Sequence, residues 1–179
     1  PTLFADTTGA NIRASEETSF TDRTISGGTV TMYDGLGTQV NAQLRWAKTA
    51  DAATTPAVVA DTWKLYYMTD PSATGTATKW TATAQTYQFG STGAMTAPVG
   101  TIVQPTMTIG TTSFTNIEFD TGLTQFAQLD GQVATSVLRQ DGFGAGKMDD
   151  LSVSADGRLV ASYSNGQTKT LAQLTVAQF

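Results

Sequence analysis

Polar and apolar residues alternate along several short segments of this 179-residue chain. An alternation with a period of two is typical of a β-strand that has one face in a core. One such segment spans residues 39–46 and a second spans residues 63–68, and the glycine- or proline-containing stretches 33–37 and 70–75 predict turns. We therefore predict a hairpin in which the turn 33–37 joins a strand from Thr29 to the strand 39–46, followed by further strands. The apolar positions of the first segment are Val40, Ala42, Leu44 and Trp46.

The same short-strand pattern continues towards the carboxyl end of the chain. Further strands are predicted near residues 80–89, 102–103, 107–109 and 114–119, and three more follow residue 150. About seven short strands closed by turns, ahead of those last three, are the pattern of a β-sandwich or a small barrel. The sequence therefore predicts an all-β fold.

Changes in this pattern suggest how the chain is organised. Residues 1–27 predict an extended lead-in with edge strands, and the clear alternation that follows predicts a first β domain. The pattern weakens around residues 120–131, where we expect the chain to pass into a second β domain. Three strands alone make a marginal sheet. We therefore expect chain outside this sequence to complete the second domain, and the start at Pro1 rather than Met adds to the expectation of a fragment.

Composition narrows the possible functions. Threonine is roughly one residue in five, which favours strands over helices. The net charge is -5 and the ten basic residues are scattered, so no nucleic-acid partner is expected. There is no cysteine and no histidine, which excludes disulfides and removes the commonest metal ligands. No run of apolar residues is long enough to cross a bilayer, so no membrane partner is expected either.

Candidate catalytic motifs are weak. The segment 142–147 contains a Gly-Lys pair, but it has neither the spacing of a phosphate loop nor the Ser or Thr that should follow, since Met148 stands there. The adjacent carboxylates Asp149 and Asp150 point to opposite faces if they lie in a strand. We predict no enzyme activity, no catalytic residue, no metal site and no cofactor.

Aromatic residues offer a different possibility. Tyr66 and Met68 have the opposite parity to Trp63 and Leu65, so we expect these two side chains to face outward and to be available for a subunit interface. Exposed aromatic rings on a sheet also stack on sugars. A non-catalytic carbohydrate-binding or adhesin-type β module is therefore the alternative function.

Two stretches of sequence resemble the flagellar hook proteins of bacteria. The first is Thr-Val-Thr-Met-Tyr-Asp-Gly-Leu-Gly at residues 29–37 together with the strand that follows, although Gly35 replaces the usual serine of that family. The second runs from Asp141 to Phe179 and contains the Asp-Gly, Ser-Ala-Asp-Gly and Tyr-Ser-Asn-Gly turns in the family's order.

This resemblance implies a structural role. Hook proteins are non-enzymatic subunits that polymerise into the flexible universal joint between the flagellar motor and the filament. By this resemblance residues 28–125 correspond to the outer β domain, and residues 126–179 to the carboxy-terminal part of the inner β domain. The expected partners are copies of the same protein, with the hook cap, distal rod and hook–filament junction proteins. The expected location is extracellular, after export by the flagellar type III system. The family's terminal helices have no counterpart here, which again predicts a fragment.

Overall fold

The computed structural model describes residues 11–50, 60–119, 122–125 and 140–173. These residues form strands in several antiparallel sheets, so the predicted all-β fold class is confirmed. The elements are β1 (Asn11–Arg13), a 3₁₀ turn (Ala14–Glu16), α1 (Glu17–Arg23), β2 (Thr24–Tyr33), β3 (Gln39–Ala50), β4 (Asp61–Met68), β5 (Thr78–Phe89), β6 (Met95–Ala97), β7 (Ile102–Ile109), β8 (Thr112–Phe119), β9 (Met148–Val153), β10 (Arg158–Tyr163) and β11 (Thr168–Gln173).

The chain divides into two compact units. Unit 1 comprises Pro1–Thr31 and Asn41–Gln140, and unit 2 comprises Met32–Val40 and Asp141–Phe179. The turn between β2 and β3 thus belongs to unit 2. The domain boundaries predicted after residues 27 and 125 stay predictions, and residues 126–139, which follow the second of them, lie outside the described part of the chain.

The main sheet of unit 1 has six strands in the order β1-β5-β4-β3-β2, with β6 paired to β5. Strand β4 lies between β3 and β5 and pairs with both in antiparallel register. Tyr66 lies opposite Arg45 on β3 and Ala82 on β5, while Trp63 lies opposite Tyr87. Paired residues share a face, so these pairs define the two faces of the sheet.

Strand β5 carries two extra residues opposite the middle of β4. From Lys64 to Tyr66 strand β4 advances by two residues, while β5 moves by four, between Thr86 and Ala82. The backbone amide of Ala84, inside this insertion, donates to Oε1 of Gln104 at 2.8 Å. Nε2 of Gln104 donates to the carbonyl of Thr106 at 2.9 Å, which explains why this amide side chain is buried.

One face of β4 carries Trp63, Leu65 and Tyr67, all buried as their alternation predicts. Trp46 of β3 meets the ring of Tyr87 edge-on, with centroids 4.8 Å apart. The β7–β8 hairpin contributes further buried apolar side chains to unit 1, namely Ile102, Met107, Ile109 and Phe114.

The opposite face of β4 is buried too, and this corrects the sequence-based expectation. Tyr66 is completely buried, so the prediction that its side chain faces outward is wrong. Helix α1 supplies the reason: Phe20 packs edge-on against Tyr66, with centroids 5.1 Å apart, and lies 5.5 Å from the ring of Trp80. The residues of this second core are Ile12, Phe20, Ala47, Tyr66, Trp80 and Ala82, with Met68 partly buried against them.

Helix α1 stands in the segment predicted to be an extended lead-in. The ammonium of Lys79 pairs with Glu17 at 2.7 Å near the start of the helix. Arg45 donates through Nη2 to the carbonyls of Thr21 and Thr24, each at 2.9 Å, at its end. A cation at the carboxyl end of a helix satisfies carbonyls that have no partner within the helix. Side chains from the sheet therefore hold both ends of this seven-residue helix in place.

Unit 2 contains a three-stranded antiparallel sheet in the order β11-β10-β9. Val153 and Leu151 of β9 lie opposite Leu159 and Ala161 of β10. Ala161 is fully buried, whereas every residue of β9 and β11 is exposed. The sheet is thus well formed along its backbone but thinly packed.

Candidate functional site

The first turn of unit 2 is organised by one carboxylate. Oδ1 of Asp34 accepts the backbone amides of Leu36 at 2.9 Å and Thr38 at 2.8 Å. These hydrogen bonds, above all the one from Thr38, lower the pKa of Asp34 below its ordinary value, although desolvation opposes them. The turn ends at Gly37, whose φ of +77° is one that glycine adopts without strain.

The glycine-rich segment 141–147 reaches this first turn. The amide of Ala145 donates to the carbonyl of Gly37 at 3.2 Å. A methyl group on Gly37 would overlap the backbone nitrogen of Ala145, so glycine is required here for close approach as well as for φ. The segment therefore packs as a fixed element against residues 33–37.

A third turn, between β10 and β11, closes the arrangement. Nδ2 of Asn165 donates to the carbonyl of Gly144 at 2.7 Å, and Oδ1 accepts the amide of Gln167 at 3.1 Å. The backbone of Lys147 accepts from the amide of Ser164 at 2.8 Å and donates to its hydroxyl at 3.0 Å. We call residues 33–37, 141–147 and 163–167 the turn cluster.

The turn cluster joins the two sequence regions that carry the resemblance. Its chemistry is structural, because the amides of Ala145 and Lys147 in the glycine-rich segment already bind other parts of unit 2. A phosphate loop needs such amides pointing at a ligand. Sequence reasoning found all three turns but could not show that they contact one another.

Unit 2 also carries most of the exposed large apolar side chains among the described residues. Six of the eight belong to it, and they include residues from both edge strands of its sheet. Exposed apolar surface of this kind marks interaction sites in folded proteins. The six are Leu36, Phe143, Met148, Leu151, Val153 and Leu171.

Unit 1 contains a polar cluster that sequence reasoning missed. Nζ of Lys48 lies 2.9 Å from Oδ2 of Asp61, and both side chains are largely buried. The same Oδ2 accepts a hydrogen bond from Nε2 of Gln125, whose Oε1 accepts from the indole of Trp63 at 3.1 Å. No sequence motif indicates this cluster, because Gln125 is more than sixty residues from both Asp61 and Trp63.

The two residues predicted for a subunit interface lie on one face of β4, but neither is freely exposed. Tyr66 is in the core, and Met68 is half-buried against that core. An interface role for Met68 stays a prediction.

The tryptophan and tyrosine side chains of β3, β4 and β5 do not form an exposed platform on which sugars could stack. Trp46 is half-buried against Tyr87, and the others are buried. Burial also raises the pKa of Tyr87 to about 12. This arrangement does not favour the carbohydrate-binding alternative. The buried ones are Trp63, Tyr66, Tyr67, Trp80 and Tyr87.

Neither a metal cluster nor a membrane-spanning helix occurs in the described ranges. Among these residues no group of three or more His, Cys, Asp or Glu side chains is placed to hold a metal ion. Nor does any helix in the described part of the chain have the length and apolarity needed to span a membrane.

Comparisons with known proteins find relatives among flagellar proteins. The model of a family described as the flagellar basal body protein FlaE D2 domain matches residues 4–143. The flagellar hook protein FlgE of Salmonella typhimurium is 30% identical over 154 residues, which cover 85% of this chain and 34% of the relative. FlgE of Salmonella typhi matches with the same identity and coverage. The chain thus spans about a third of the length of the curated relatives it matches.

A solved structure is also similar. The flagellar hook protein FlgE2 of Helicobacter pylori is 18% identical, with a TM-score of 0.46, and the match covers 84% of this chain and 32% of that one.

The fold and the turn cluster define an all-β structural module. The family match covers well over half of the chain, and it includes the first of the two motif regions and the beginning of the second. The chain belongs to the FlaE D2 domain family of flagellar basal body proteins. The resemblance to flagellar hook proteins is thereby confirmed.

Proposed function

We propose that this chain is part of a structural subunit of the bacterial flagellar hook, the flexible joint between the motor and the filament. The observation that carries the proposal is the family match over residues 4–143, together with the relatives named as hook proteins. The turn cluster supports it, because the motifs that resemble hook proteins serve as packing elements of unit 2.

The partners and location follow from this role. We propose that the full protein polymerises with copies of itself, meets the hook cap, the distal rod and the hook–filament junction proteins, and lies outside the cell after type III export. We also propose that it has no enzymatic activity. A structural family and motif residues engaged in packing support this.

The surface of unit 2 supports assembly. Apolar side chains such as Leu151 and Val153 are exposed on a sheet of only three strands, which is marginal by itself. We propose that further chain, from the rest of the full protein, covers this sheet. Met68 is retained as a proposed interface residue in unit 1.

Labelling tests the location directly. Hook–basal bodies isolated from the source bacterium are labelled with gold-coupled antibody raised against this chain. We expect gold along the curved hook segment, and none on the filament or on basal bodies from a strain in which the gene is deleted. That strain should lack hooks and swimming. Label elsewhere, or normal hooks in the deletion strain, would contradict the proposal.

A further inference from the structure

Residues 122–125, which we call the strap, lie on the surface of unit 1. Thr124 forms an antiparallel bridge with Ala94, and the amide of Gln125 donates to the carbonyl of Gly93 at 2.8 Å. Gly93 has a φ of +78°, and a Cβ there would overlap the carbonyl oxygen of Gln125. The backbone of unit 1 is thus shaped to receive the strap.

The side chain of Gln125 fastens the strap through both ends of its amide. Its oxygen accepts from the indole of Trp63 at 3.1 Å, and its nitrogen donates to the carboxylate of Asp61. Asp61 in turn pairs with Lys48 at 2.9 Å, with side-chain exposures of 16% and 14%. A carboxylate so far from water is a strong acceptor, and the paired ammonium fixes its position.

Within the described part of the chain, few other contacts hold the strap. Gly122 and Thr124 are exposed, and Leu123 and Gln125 are only half-buried. Buried apolar side chains resist local unfolding of the sheet, but they contribute little to the stability of the strap. Segments with few buried apolar contacts open locally at a lower free energy than the core.

We propose that the strap detaches from the rest of unit 1 by local unfolding. The side chain of Gln125, which we call the latch, holds the strap in place through its hydrogen bond to Asp61, and Lys48 fixes the position of that carboxylate. Release would leave the six-stranded sheet intact. It would free four residues of the chain between β8 and β9, which is about 13 Å of fully extended chain. The proposal concerns this chain alone and does not depend on the hook assignment.

Hydrogen exchange on the chain described here tests the latch. In Gln125→Ala we expect the amide of residue 125 to exchange at least about tenfold faster than in the wild type, because a net hydrogen bond is lost and the Trp63 donor is left buried. Amides of β4 and β5 should change less than about threefold, since they open separately.

The matched control is Gln104→Ala. Gln104 is also a glutamine of unit 1 with both amide ends bonded, but its partners are Ala84 and Thr106 rather than the strap. This variant should speed exchange in β5 and leave residue 125 little changed. An unchanged rate at residue 125 in Gln125→Ala, or a parallel rise there and throughout β4 and β5, would overturn the proposal.

The wild-type chain provides a second test that no folding defect affects. Exchange at Gln125 should be nearly independent of low urea concentrations, because opening the strap exposes little surface. Exchange in β4 and β5 should rise steeply with urea. If exchange at Gln125 rises as steeply as exchange in the sheet, the strap opens only with the whole unit, and no latch exists.

Discussion

Unit 1 and unit 2 are both antiparallel sheets, yet they are stabilised in different ways. The largest fully buried side chains of the described residues all lie in unit 1, on both sides of its central strand. In unit 2 the strands β9 and β11 are exposed along their whole length, and hydrogen bonds of the turn cluster fix the loops. Unit 1 thus depends on side-chain packing, whereas unit 2 depends on backbone geometry and hydrogen bonds.

Removing one buried aromatic ring should give the largest difference in stability between the two units. Tyr66→Ala removes a completely buried side chain that packs against Phe20, so we expect the free energy of unfolding of unit 1 to fall by about 3–5 kcal/mol. Urea denaturation followed by far-ultraviolet circular dichroism, which reports the strands of both units, measures this. The control Leu151→Ala, on exposed β9, should cost under about 1 kcal/mol. Equal losses of unfolding free energy in Tyr66→Ala and Leu151→Ala would contradict the view that only unit 1 depends on side-chain packing.

A substitution in the turn cluster should destabilise unit 2 rather than unit 1. Gly37→Ala combines a positive φ with overlap at Ala145, so we expect a loss of about 3 kcal/mol in unit 2. Hydrogen exchange measures this loss, because the Ser164 amide, which donates to the carbonyl of Lys147, should exchange faster than in the wild type.

Gly75→Ala is the control for conformational strain alone. Gly75 also has a positive φ but has open space where the methyl group would stand. We therefore expect Gly75→Ala to lower the free energy of unfolding of unit 1 by about 1 kcal/mol. If Gly37→Ala costs no more than Gly75→Ala, close packing of the turn cluster is not what stabilises unit 2.

The arginine contacts of the two units should differ in how much they stabilise the fold. Arg45→Met removes the guanidinium that binds the end of α1, and we expect a loss of about 2 kcal/mol. Arg158→Met breaks an exposed pair with Asp156 in unit 2 and should change stability by less than about 0.5 kcal/mol. Thermal unfolding followed by circular dichroism compares them. A similar shift in both variants would speak against an anchored helix.

Alkaline pH should produce the smallest effect. Burial raises the pKa of Tyr87 to about 12 from an ordinary value of 10.0, so folding favours the neutral phenol. This contribution is fully present below pH 10 and is lost as pH rises towards 12, with a slope of at most about 1.4 kcal/mol per pH unit. Urea unfolding at pH 9 and pH 11 should show a smaller drop in Tyr87→Phe than in the wild type. An identical drop would mean that Tyr87 does not contribute.

The sequence predicted features that repeat or that use special residues. The alternation around Trp63 and Leu65 correctly assigned one face of β4 to a core. It failed for Tyr66 because the cover for that face comes from α1, a short helix with one apolar anchor, Phe20. Such a helix has no periodic signal, and its anchors, such as Arg45, lie far away in sequence.

The candidate sites show the same limit. Glycine marked each turn of the turn cluster, with aspartate in the first two turns and asparagine in the third, because those residues suit left-handed or tightly hydrogen-bonded backbone. Which turn contacts which depends on the tertiary fold. Gln125 gave no signal at all, since a single glutamine is ordinary in any loop, and only its distant partners reveal the latch.

The two additional residues of β5 opposite β4 set a rule for how this protein tolerates insertions and deletions. Because the surplus is even, Trp80 and Ala82 before it, and Tyr87 and Phe89 after it, all remain in phase with the pleat and stay buried. Deleting one residue near Ala84 would rotate Tyr87 and Phe89 into water. Removing two would keep them inside, so length variation at this site should occur in pairs.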